Sequence, residues 1–173
     1  INNAPFEKYS DTIHLTEEKE YLVKYYAVDH VGNAEDVNEI TLQLDMSSPA
    51  TELKIEGDQH ESIISGRSEI VLFSKDQNSD VKQTYFSIDG GKESIYQYTL
   101  KGKYLSEGEH SVTYYSVDIV GNQEEKKTYD FYVDKTAPTV VDELIGNTFV
   151  ASGREYYSGR NKLKLVSMDN KAG

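Results

Sequence analysis

Asp76, Asn78 and Asp80 in "DQNSD" fall on alternate positions, the spacing at which an EF-hand loop offers oxygen ligands to calcium. The pattern then breaks, because the sixth residue is Val81 rather than Gly and the twelfth is Ser87 rather than Glu. Asp118 and Asp134 offer a second arrangement, in which carboxylates meet at a junction between structural units and share a cation. Against it stands the simpler reading that each caps its own turn. The four histidines, His14, His30, His60 and His110, are isolated in the sequence, and "HESII" (60–64) lacks the second histidine of a zincin helix. No G-x-S-x-G elbow occurs, and "DGGK" has no following helix whose N-terminus would hold a phosphate. The chain has no cysteine, which excludes disulfides, thiolate catalysis and cysteine-ligated zinc. The residues therefore assign no catalytic, cofactor-binding or metal-ligating position. Calcium is the one cofactor kept in view.

Tyrosine is the other residue with recognition chemistry, at 14 copies against no tryptophan. Tyr26, Tyr115, Tyr132, Tyr156 and Tyr157 read as outward, where they could stack on sugar rings or dock a protein. Tyr25, Tyr114 and Tyr129 read as core. Asp and Glu outnumber Lys and Arg by 30 to 18, a formal charge of −12 that repels phosphate backbones, so nucleic acid is not expected as a partner. No run approaches the roughly 20 apolar residues of a membrane-spanning helix, and mean hydropathy is −0.64. The opening "INNAPF" carries no signal segment and reads as an internal or processed piece of a longer protein.

The elements that would position these residues come in copies. "YYAVDHVGN" (25–33) returns as "YYSVDIVGN" (114–122), 89 residues later. At that offset, 21–49 and 110–138 share 11 identities in 29 positions, where composition alone would give roughly two. "ISGRSEIVLFSKDQNSD" (64–80) returns as "YSGRNKLKLVSMDNKAG" (157–173) at an offset of 93, the extra four residues falling between Gly146 and Ser158. These matches divide the chain into three. Residues 1–48 form the C-terminal half of one repeat, 49–137 a complete repeat, and 138–173 the N-terminal half of another.

Within a repeat the apolar period is two. Val112, Tyr114 and Ser116 alternate with Ser111, Thr113 and Tyr115, and the copy gives Val23, Tyr25 and Ala27. Ile40, Leu42 and Leu44 match Tyr129, Phe131 and Val133. Ile70, Leu72 and Ser74 match Leu163, Leu165 and Ser167. Phe86 and Ile88 point to the core, and "DGG" turns the chain into Ser94–Leu100. A strand ends at Asp118, "D-x-x-G-N" reverses the chain, and the next strand starts near Lys127. In that turn Asp118 accepts backbone N–H groups, while Gly121 and Asn122 tolerate positive φ. About seven short strands per repeat predict an all-β chain of tandem immunoglobulin-like antiparallel sandwiches, one complete and two partial. The boundaries "LDMSSP" (44–49) and "VDKTAP" (133–138) are short and proline-stiffened, which predicts a rod.

The stretch "IDGGKESIYQYT…LSEGEHSVTYYSVDIVGNQE…VDKTAP" resembles the OmpL-type β-domain repeats, a bacterial Ig-like family. The resemblance covers 49–138 and both partial repeats, with Lys19–Glu20 replacing Gly108–Glu109 in the first. It implies an extracytoplasmic location, at the cell surface or secreted, and carries no shared catalytic residues. Together these readings predict a non-catalytic spacer or stalk segment of a large bacterial surface or secreted protein, with neighbouring repeats as its contacts. The alternative is an adhesin segment or a carbohydrate-binding accessory module with a protein or glycan ligand. The unpaired halves further predict head-to-tail self-association.

Overall fold

The computed structural model describes residues 1, 2, 4–169 and 171. The chain is all-β, and among the described residues the sole helical element is one 3-10 turn, Gly102–Tyr104. The strands β1 (Glu20–Tyr25) and β2 (Asn38–Gln43) form a two-stranded antiparallel sheet. The middle of the chain holds β3 (Ala50–Glu56), β4 (Gln59–His60), β5 (Ile63–Ser65), β6 (Glu69–Lys75), β7 (Val81–Ile88), β8 (Ser94–Ile95), β9 (Leu100–Lys101), β10 (Gly108–Asp118) and β11 (Lys127–Asp134). They make a six-stranded sheet in the order β4-β5-β11-β10-β7-β8 and a three-stranded sheet in the order β3-β6-β9. All pairs are antiparallel except β5 with β11. Beyond them, β12 (Thr139–Ile145) pairs with β15 (Lys162–Met168), and β13 (Thr148–Ala151) with β14 (Arg154–Tyr157).

The two middle sheets share one core, and the period-two pattern explains why. Val112 and Tyr114 of β10, Phe131 and Val133 of β11, and Ile64 of β5 leave the larger sheet on one face. They meet Ile70 and Leu72 of β6, with Leu53 and Ile55 of β3 packed alongside. Phe86, Ile88 and Tyr129 join this core as expected. Its edges are closed by turn chemistry: Asp89 and Gly90 both have positive φ, at 52° and 65°, the combination a two-residue β-turn between β7 and β8 demands.

The copied segments pair in the same register. Glu20 faces Gln43 as Glu109 faces Tyr132, each pair displaced by 89. Ala50 faces Lys75 as Thr139 faces Met168, displaced by 89 and 93. Burial is what differs. Tyr25, Ile40 and Leu42 were expected in a core and are 53%, 45% and 37% exposed; Leu163 and Leu165 are likewise exposed. No facing sheet covers them among the described residues; on the same face of β1 only Tyr21, opposite Leu42, is buried, its hydroxyl donating to the Glu17 carbonyl. Tyr115 differs in the opposite sense: predicted outward, it is buried, stacked on Tyr85 with ring centroids 5.1 Å apart, its hydroxyl donating to Glu93.

Candidate metal centre

The turn after β10 is built around Asp118. Its Oδ1 accepts the backbone N–H groups of Val120, Gly121 and Asn122 at 2.6–3.0 Å, and its Oδ2 accepts the Asn122 side-chain amide at 2.8 Å. Gly121 has φ +102°, which a side chain would strain. Asn122 serves by its amide and not, as the sequence suggested, by a positive φ. Burial pushes the Asp118 carboxyl up, but the Asn122 amide and the backbone N–H groups together outweigh it and hold the group below the usual carboxylate value. The turn at Asp29 is the same: Oδ1 accepts Val31 and Asn33 N–H, and Gly32 has φ +93°. The recurrence of "D-x-x-G-N" is thus a matter of backbone hydrogen bonding.

The turn does not account for what gathers around Asp118. Asp45, Asp76 and Asp118 each bring a carboxylate oxygen to within 4.8 Å of the others. Asp118 is fully buried and the other two are half-buried. Asp45 Oδ1 accepts the Ser47 N–H at 3.0 Å, and its Oδ2 accepts the Ser79 N–H at 3.1 Å. Asp76 Oδ1 accepts the N–H groups of Asn78 and Ser79. Among the described residues, none of the three makes an ion pair with a basic side chain. A fourth carboxylate, Glu18, accepts the Ser47 hydroxyl at 2.7 Å and the side-chain amide of Asn78. With Asn122 Nδ2 donating to the Asp45 carbonyl at 3.3 Å, these contacts join the boundary segment 44–49 to the loops after β6 and β10.

Asp118 and Asp134 each cap their own turn, and neither carboxylate arrangement weighed on the sequence is the one found. Asp80 and Asn78 do not act with Asp76 as an EF-hand would; Asp45 comes instead, from 31 residues upstream. Asp118 meets Asp45 and not its copy Asp134. The reason is topological: β10 and β11 are antiparallel, so Asp118 at the end of one and Asp134 at the end of the other lie at opposite ends of the sheet. Asp134 instead lines a groove with Asp169, the counterpart of Asp76. There Asp134 Oδ1 accepts the Thr136 N–H and Asp169 Oδ1 the Lys171 N–H, as Asp45 and Asp76 do with Ser47 and Asn78.

His110 is not isolated in space. The β7–β10 pairing brings its Nδ1 to 2.7 Å from Asp89 Oδ2, while Nε2 lies 3.0 Å from the Ser106 carbonyl and 3.3 Å from its hydroxyl. This looks like a Ser-His-Asp triad, but both ring nitrogens face oxygen acceptors. Nε2 lies closer to the Ser106 carbonyl than to its hydroxyl, and these contacts clasp the loop at Ser106 to the turn at Asp89. The acceptor role of Asp89, chiefly toward the Ser111 N–H and then toward His110, holds its carboxyl below the usual value. His14, His30 and His60 are exposed. Tyr156 and Tyr157 are exposed too, yet as neighbours on β14 they point to opposite faces and make no single stacking surface. Tyr132 is half-buried under the ammonium of Lys171, 4.5 Å from its ring.

Sequence reasoning missed Glu124, which is 6% exposed. Its Oε1 accepts the Ser116 N–H at 2.8 Å and the Thr51 hydroxyl, and its Oε2 accepts the Thr51 N–H at 3.0 Å and Lys127 Nζ at 2.7 Å. Burial raises its pKa, but Lys127 and Thr51 outweigh that and keep the carboxyl below its usual value. The signal was available: Glu35 is the copied residue, and its Oε1 accepts the Ala27 N–H in the same way. No protein-family model and no curated protein matches the chain.

Proposed function

We propose that the chain is a non-catalytic segment of tandem immunoglobulin-like β-sandwiches that acts as a spacer or stalk. The observation that carries this reading is the shared register: β1–β2 repeats the pairing of β10–β11, and β12–β15 repeats that of β3–β6. One complete unit would span 49–137, with halves of its neighbours in 1–48 and 138–173. The boundary segment 44–49, bonded to the loops at 76–80 and 118–122, supports a stiff connection between units. The resemblance to OmpL-type β-domain repeats adds a bacterial, extracytoplasmic setting at the cell surface or in a secreted protein. No described helix is long and apolar enough to cross a membrane.

A spacer is tested by pulling. In force spectroscopy on a polyprotein of this chain, the 49–137 unit unfolds in one step that lengthens the chain by about 300 Å, the extended span of its residues. Gradual extension without a discrete step, or turnover of a substrate by the purified chain, would remove the reading. The half-units extend it. The exposed faces of β12–β15 and β1–β2 are counterparts of the two layers that meet in the middle core, so the front half of one copy is proposed to pack on the back half of another.

A further inference from the structure

We propose that Asp45, Asp76 and Asp118 bind a calcium ion that fastens the boundary segment 44–49 to the loops following β6 and β10. Three carboxylate oxygens within 4.8 Å of one another, one of them on a fully buried residue and none ion-paired with a lysine or arginine among the described residues, repel in the absence of a cation. A second observation concerns hydrogen bonding and includes Ser79, which lies outside the cluster. Asp76 Oδ2 and Ser79 Oγ are both shielded from solvent and have no hydrogen-bond partner among the described residues. A buried carboxylate oxygen left bare is costly, and a metal–oxygen bond is the contact that would satisfy it.

The donor set selects the metal. It is all oxygen and largely carboxylate, which suits hard cations and not zinc or copper. Oxygens within 4.8 Å of one another fit around one Ca²⁺, whereas Mg²⁺ dehydrates reluctantly and keeps several waters in place of an all-protein carboxylate cage. Turn N–H groups fix one oxygen of Asp76, from Asn78 and Ser79, while both oxygens of Asp45 and of Asp118 are oriented by hydrogen bonds, those of Asp45 from Ser47 and Ser79 and those of Asp118 from the 120–122 turn and the Asn122 amide. The ligands are thereby held in place before the ion arrives. Asp29 is the internal control, with the same turn as Asp118 and no part in the carboxylate cluster. The binding does not depend on the spacer role, and the test reads the two separately.

The test titrates CaCl₂ into the chelator-treated 173-residue chain by calorimetry, with thermal melts alongside. One Ca²⁺ binds per chain, with a dissociation constant on the order of 10⁻⁴–10⁻³ M, the range of extracellular modules, and Tm rises on binding. Asp76→Asn and Asp45→Asn each weaken binding at least roughly tenfold, the loss of a charged ligand. Asp29→Asn leaves it unchanged. With chelator present, Asp76→Asn melts at or above the temperature of the parent chain, because one of three repelling charges is gone; that melt also shows the variant is folded. No heat and no Tm shift by about 10 mM CaCl₂ would overturn the proposal. So would binding that survives Asp76→Asn and Asp45→Asn, or equal affinity for MgCl₂.

Discussion

Glu124 is where a single side chain ties the two middle sheets together. It receives Thr51 from β3 and Ser116 from β10, beside hydroxyls of Thr51, Ser74, Thr84 and Ser116 spaced 2.6–3.2 Å apart. Glu124→Ala leaves those buried donors unmet and lowers unfolding free energy by about 1–3 kcal/mol in urea titrations. The pH dependence has a definite sign. Its folded-state pKa is depressed, so its ionised form contributes stability above the ordinary glutamate value of 4.5 and loses it as pH falls through the lower folded value. The stability gap between the parent chain and Glu124→Gln therefore narrows in acid below about pH 4.5. A gap that widens there would contradict the assigned ionised network.

At the scale of the element, identical patterns carry unequal weight. Phe131 of β11 and Leu42 of β2 occupy the same register position, facing His110 and Tyr21. Phe131 is 3% exposed and Leu42 37%. Phe131→Ala opens a cavity in the core and costs about 3–5 kcal/mol. Leu42→Ala changes an exposed position and stays within about 0.5 kcal/mol. Chemical denaturation of the two variants checks the contrast, and equal losses would mean that β1–β2 has a covering layer of its own. The alternation that predicted both strands was legible in the sequence because side chains on a strand alternate faces whatever lies above them. The exposure of Tyr25, Ile40 and Leu42 was not legible, because burial depends on a second sheet that the strand itself does not specify.

Across the whole molecule, the proposed head-to-tail association would rest on the apolar faces of β1–β2 and β12–β15. Val140, Leu144, Leu163 and Leu165 are exposed on the latter, and Tyr25, Ile40 and Leu42 on the former. Head-to-tail packing gives a sedimentation coefficient that rises with concentration. Leu165→Asp, which places a charge on the face that would be buried, returns the chain to monomer. Concentration-independent monomer behaviour of the parent chain would refute the association.

The sequence by itself determined the strands, their turns and their copying, since periodicity, Asp-Gly turns and the Asp118 cap are local physics that short stretches encode in full. It also bounded the chemistry, through the absence of cysteine and of a nucleophile elbow. Tertiary structure alone decided which acids meet. Asp45, Asp76 and Asp118 are separated by 31 and 42 residues, and Asp134 is sent to the opposite end because neighbouring strands run antiparallel. Local pattern fixes where a side chain points along its own strand; strand direction and sheet order fix what it finds there.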